Sequence, residues 1–114
     1  MIGIDICAIA RIEKMMNRFG SKSLEKFLSP KEILLVKNSA TAAGFWAAKE
    51  AASKAIGTGI GKDCSFLDIK ISKTSKGQPL LKYKKHVRKR FKIKKSSLSI
   101  THDGGYAIAV VVIV

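Results

Sequence analysis

The chain has 114 residues, with 22 Lys+Arg against 8 Asp+Glu, two His and two Cys, for a formal net charge of +14. A hydrophobic content of 46% excludes an intrinsically disordered polycation, since that much apolar surface can offset the entropy of ordering. The two cysteines, Cys7 and Cys64, are far apart and in no metal-like cluster, which excludes a disulfide scaffold and a zinc finger. The length predicts a single domain over residues 1–114, small enough that subunit association would add needed burial.

Ile2 to Ile6 is a short β-branched run, expected to be a strand with Asp5 near its C-terminal end. It lacks the basic start of a targeting signal. The longest apolar stretch, Tyr106 to Val114, is nine residues, short of the roughly 20 that a membrane helix needs. A soluble, cytoplasmic protein that does not meet the membrane is expected. From Ala8 to Phe19, Ile9, Ile12, Met15, Met16 and Phe19 recur at helical spacing, with Arg11, Lys14 and Arg18 opposite and Gly20 as a stop. Leu24, Phe27 and Leu28 suggest a further helical turn. Ser29-Pro30-Lys31-Glu32 reads as a capping box opening a helix to about Lys37. The alanine-rich stretch Thr41 to Ile56, closed by Gly57, is the best helix in the chain.

Beyond the loop Gly57-Thr58-Gly59-Ile60-Gly61, strands are expected over Phe66 to Ser72 and near Leu80 to Tyr83, joined by a turn at Ser75 to Pro79. Val87, Phe91 and Ile93 give the next stretch a weak apolar helical stripe. Leu98 to Thr101 and Tyr106 to Ile113 form a hairpin around His102-Asp103-Gly104-Gly105. This irregular order predicts an α+β fold, a small antiparallel sheet packed with helices.

Charge is concentrated. Lys82 to Lys95 holds nine basic residues and no acid. Such a run suits a polyanionic partner or, equally, a solvated helix face.

Three polar features need a reason. Asp5 sits between Ile4 and Ile6, where a carboxylate is costly unless paired or on a metal; it could instead face solvent or cap the next helix. Glu50 and Lys54 are four residues apart in the alanine-rich helix, and so form either a surface pair or part of a site. The glycines at 57, 59 and 61 permit close approach of a phosphate but follow a helix C-terminus, the unfavourable end of the dipole. Two isolated acids suit Mg²⁺, which commonly uses one or two carboxylates plus substrate phosphates. Phosphoryl transfer and nucleic-acid binding therefore remain rival readings. His102 beside the hairpin tip is by itself an ordinary turn residue.

Gly3-Ile4-Asp5-Ile6, Trp46-Ala47-Ala48-Lys49-Glu50-Ala51, Lys54-Ala55-Ile56-Gly57-Thr58-Gly59-Ile60-Gly61 and Ser99-Ile100-Thr101-His102, in that order, resemble the holo-[acyl-carrier-protein] synthases, small 4′-phosphopantetheinyl transferases. The resemblance implies transfer of the 4′-phosphopantetheine arm of coenzyme A to a serine of apo acyl carrier protein, releasing adenosine 3′,5′-bisphosphate, in support of fatty acid biosynthesis. It implies that Asp5 and Glu50 bind Mg²⁺, that Lys54 and His102 line the coenzyme A site together with Gly57 and Gly59, and that Glu50 and Lys54 are catalytic. Arg11, and more loosely Arg18, match positions that meet the acidic carrier. The family fold is α+β, usually a homotrimer with active sites between subunits. One departure stands out: the family often has Arg where Phe45 stands; if that Arg helps hold coenzyme A, another cation must substitute, and Lys82 to Lys95 could supply one. A small basic nucleic-acid-binding module and a noncatalytic carrier-binding protein are the alternatives.

Overall fold

The computed structural model covers residues 1–114. The chain runs through β1 (Ile2–Ala8), α1 (Ile9–Phe19), a 3-10 segment (Gly20–Lys26), α2 (Pro30–Ile33), α3 (Ser39–Ala55), a short 3-10 turn (Phe66–Asp68), β2 (Ile69–Lys73), β3 (Pro79–Tyr83), α4 (Lys85–Phe91), β4 (Ser96–Asp103) and β5 (Tyr106–Ile113). All pairings are antiparallel. One sheet has the order β1-β5-β4 and the second is the ribbon β2-β3. The α+β expectation holds.

The three-stranded sheet and α3 form the centre of the molecule. Strand alternation sends Gly3, Asp5 and Cys7 of β1 inward, with Ala107, Ala109, Val111 and Ile113 of β5, while Ile2, Ile4 and Ile6 point to the opposite face. The inward face carries small side chains where α3 crosses it. A Cβ on Gly3 would collide with the Ala51 carbonyl, and one on Gly44 would lie 3.0 Å from Ile100 Cγ2. Ala47, Ala48, Ala51 and Ala52 are fully buried. Backbone thus approaches backbone, and β1 is held close to the helix that carries Glu50.

The helix needs more than alanine to fix its rotation. Trp46 packs against Phe27 and Phe66 at ring-centroid distances of 5.0 and 4.9 Å, contacts worth about 0.5–1.5 kcal/mol each beyond their area. The Tyr83 hydroxyl donates to the Ala52 carbonyl at 2.8 Å. Asn38 caps the helix by accepting from the Thr41 amide at 3.0 Å.

Several boundaries differ from expectation. The Ser29–Glu32 capping box is present, but α2 stops at Ile33 rather than Lys37, because the chain must extend again for Asn38 to start α3. Phe66–Asp68 winds into a 3-10 turn instead of opening β2, since the Asp68 carboxylate turns back to accept the Ser65 amide at 2.9 Å. Asp5 lies in the middle of β1, not near its end. His102 belongs to β4 opposite Ala107, and the hairpin turn is Gly104-Gly105 alone, both at positive φ (59° and 86°), as a two-residue turn of this hand requires. No helix is long and apolar enough to cross a membrane.

Candidate active site

α3 turns Glu50 and Lys54 toward Asp5 on the inner face of β1. The ion pair that forms is not the expected Glu50–Lys54 surface pair. Lys54 Nζ lies 2.8 Å from Asp5 Oδ1 and also donates to the Ile4 carbonyl at 3.3 Å. The Asp5 hydrogen bond raises the pKa of Lys54 above its ordinary value. Glu50 is half-buried and its carboxylate takes part in none of the ion pairs. Burial, then the negative charge of Asp5, push its pKa up, with Lys54 and Arg11 pulling the other way.

Two carboxylates on facing elements, one without a partner and made more basic by the other, form the electrostatic situation that a divalent cation relieves. No third His, Cys, Asp or Glu joins them. The donors are hard oxygens and few, which fits Mg²⁺ better than a transition metal needing imidazole or thiolate.

Arg11 borders this cluster. Its guanidinium stacks 5.0 Å from the Trp46 ring and Nη2 lies 3.6 Å from Cys7 Sγ. It lines an open groove of about 460 Å³ along α1 with Ala10, Glu13, Lys14 and Asn17. Arg18 lies further along α1, exposed, over the Phe19 ring at 5.1 Å. The Cys7 thiol is buried, and burial raises its pKa although Arg11 pulls the other way.

His102 does not join Asp5. Its rung of the sheet passes through Ala107 to Cys7, whereas that of Asp5 passes through Ala109 to Ile100, so two strand spacings across and two residues along put them about 12 Å apart. His102 instead lines a second cavity of about 200 Å³ with Thr41, Phe45, Lys73, Gly77 and Pro79. Lys73 Nζ sits 5.7 Å over the Phe45 ring. The cation over the Phe45 ring is thus Lys73 of β2, while α4 carries the pairs Arg90–Asp63 at 2.8 Å and His86–Asp68 at 3.5 Å.

Gly57 and Gly59 take positive φ (82° and 68°). Their amides close the helix, Gly57 donating to the Lys54 carbonyl at 3.0 Å and Gly59 to that of Ser53 at 3.2 Å. Nothing lies within 4 Å of where their Cβ atoms would be, so they offer open backbone surface rather than free amides.

Sequence reasoning missed the partner of Lys49. That side chain is fully buried and donates at 2.8 Å to Glu32 Oε1 and at 3.0 Å to the Phe66 carbonyl. Glu32 Oε1 also accepts the Ser29 amide, and Oε2 the Ile71 amide, both at 2.8 Å. A lysine among seventeen mostly small helical residues was the available signal, since such a cation demands a buried acceptor.

A profile described as the 4′-phosphopantetheinyl transferase superfamily matches residues 1–111. The chain belongs to the 4′-phosphopantetheinyl transferase superfamily. Among its relatives in that superfamily, a holo-[acyl-carrier-protein] synthase of Aliarcobacter butzleri is 68% identical over 112 residues, covering 98% of this chain and 95% of the relative. The solved Helicobacter pylori holo-[acyl-carrier-protein] synthase, in complex with coenzyme A, superposes with a TM-score of 0.96 at 57% identity, covering all of both chains. The Bacillus anthracis synthase superposes at 0.81 with 40% identity, covering 98% of this chain and 93% of that one. These relatives place the chain among the holo-[acyl-carrier-protein] synthase enzymes, as the motifs implied.

Proposed function

We propose that this enzyme moves the 4′-phosphopantetheine arm of coenzyme A onto a serine of apo acyl carrier protein, with Mg²⁺ and with release of adenosine 3′,5′-bisphosphate, serving fatty acid biosynthesis in the cytoplasm. The observation that carries it is the Asp5–Lys54 pair beside the unpartnered Glu50. The bond formed is serine Oγ to the β-phosphorus, and the bond broken is the pyrophosphate P–O bond.

Asp5 and Glu50 are the residues that would hold Mg²⁺. When bound, the ion offsets negative charge on the pyrophosphate. Lys54, half-exposed and already oriented by Asp5, places a fixed positive charge for the departing phosphate. Glu50, beside Asp5 on the facing helix, takes up the serine proton through an intervening water. Gly57 and Gly59 give the substrate close access to the helix end. His102, with Lys73 over Phe45, lines the cavity proposed for the nucleotide end, and Arg11 and Arg18 meet the acidic carrier along the α1 groove.

We place all of this in one domain that assembles as a homotrimer. The outer face of β1-β5-β4 supports assembly, because Ile2, Ile4 and Ile6 are 58–68% exposed there beside Val112, a contiguous apolar surface of the kind that association covers. The test of the reaction is the intact mass of apo acyl carrier protein after incubation with this chain, coenzyme A and Mg²⁺. A gain of one phosphopantetheine, lost with chelator, is expected; no gain on a carrier that a relative modifies would overturn the proposal.

A further inference from the structure

The basic run Lys82–Lys95 has no part in the site just described, and of its nine cations only Arg90 has a carboxylate partner, Asp63 at 2.8 Å. Val87 and Ile93 are buried and pin the run to the core. Lys82, Lys85, Lys89, Lys92, Lys94 and Lys95 are all exposed, and none forms an ion pair. Four of the chain's eight acids are committed to pairs with Lys54, Lys49, Arg90 and His86.

One detail shows that the fold tolerates repulsion here. Lys82 of β3 stands directly opposite Lys70 of β2, both exposed, and like charges so placed destabilise a ribbon.

We propose that this face, α4 with the outer side of the β2-β3 ribbon, is an electrostatic guide for the acidic carrier protein, separate from the α1 groove. The proposal rests on the carrier-modifying function above. Lysines acting as point charges suit a diffuse acidic protein surface. The patch lacks what nucleic-acid reading uses: Tyr83 is buried and bonded to Ala52, Phe91 is half-buried against the core, and no aromatic is left for base stacking. Through Arg90 and Asp63, α4 is fastened to the segment that follows α3. The field of such a patch raises encounter rates and decays with added salt.

The test is the quadruple substitution Lys82→Gln, Lys85→Gln, Lys89→Gln, Lys94→Gln, all at exposed positions, compared with the unsubstituted chain across ionic strength. At low salt kcat/KM for the carrier should fall about tenfold, within the range that steering supplies. The two proteins should converge at about 0.5 M salt, where charges are screened within a few ångströms. The kcat at saturating carrier and the KM for coenzyme A should not change. Anisotropy of labelled apo carrier without coenzyme A should show the same salt-dependent loss of affinity, and reads the patch even if no transfer occurs. Carrier binding without transfer would thus sink the proposed reaction and leave this inference standing. Equal carrier binding and equal salt slopes in the two proteins would overturn it. So would a variant that loses duplex-DNA binding alone, which would reassign the face to nucleic acid.

Discussion

Lys54 reaches from α3 to Asp5 on β1, 2.8 Å between Nζ and Oδ1, and leaves Glu50, one helical turn earlier, without an ion-pair partner. One cation therefore serves one of two neighbouring carboxylates. Asp5→Asn keeps the size of the side chain and removes its charge. Losing charge stabilisation of about 4 kcal/mol lowers turnover about a thousandfold, so Asp5→Asn should be nearly inactive on apo carrier while its thermal midpoint stays near that of the parent. Activity equal to the parent would remove Asp5 from the site.

Gly3→Ala should do by geometry what Asp5→Asn does by charge. The added Cβ meets the Ala51 carbonyl and lies 2.6 Å from the Ala55 amide nitrogen, so β1 and α3 must separate. Overpacking of this kind costs about 1–3 kcal/mol, measurable by urea unfolding, and turnover should fall as Asp5 and Glu50 move apart. Full turnover together with full stability would show that the approach is dispensable.

Glu32→Ala should be among the most destabilising single changes in the chain. It strands the buried Lys49 ammonium and the Ile71 amide together, and breaking one side of a buried pair costs about 3–5 kcal/mol. Burial already lowers the pKa of Lys49 with Glu32 opposing it, so without Glu32 the side chain keeps only the Phe66 carbonyl as a partner. Chemical denaturation of the variant gives the number directly.

The candidate site is legible where residue type carries chemistry that apolar periodicity does not explain: a carboxylate inside Ile4-Asp5-Ile6, and a Glu and Lys on one face of α3. Its pairing is not, because i, i+4 spacing makes Glu50–Lys54 the local solution while the tertiary approach of β1 offers Lys54 the stronger partner. Glu32 was read only as a capping residue, since its contacts with Lys49 and Ile71 span 17 and 39 residues, a separation no local pattern encodes. The cation over Phe45 comes from β2, as Lys73, a placement 28 residues away that no local pattern encodes. The elements themselves followed from apolar spacing, and misplaced ends occurred where a side chain caps the backbone, as at Asp68.

Alkaline conditions should weaken the fold through Cys64. Burial raises this thiol from 9.0 to about 11. The unfolded thiol ionises first, so stability tied to the neutral form is intact below pH 9 and is lost as pH rises toward 11. The thermal midpoint should fall over that window, and Cys64→Ala should flatten the fall. A slope unchanged by the substitution would assign it to other groups.

Ile4→Glu should leave the fold intact and dissociate the proposed trimer. Ile4 is 58% exposed, so the charge costs the lone chain little, whereas three carboxylates buried in an assembly would each demand a partner. Sedimentation velocity of the two proteins at equal concentration distinguishes the outcomes; identical coefficients would place the interface elsewhere.

β1 carries its two duties by parity. Gly3, Asp5 and Cys7 look toward α3, and Ile2, Ile4 and Ile6 look away. Inserting or deleting one residue in this strand would exchange the two sets at a stroke, sending the carboxylate out and an isoleucine into the space that only glycine fits. Such a change has no gradual form: a substitution in β1 touches one face, whereas a change of length disturbs both.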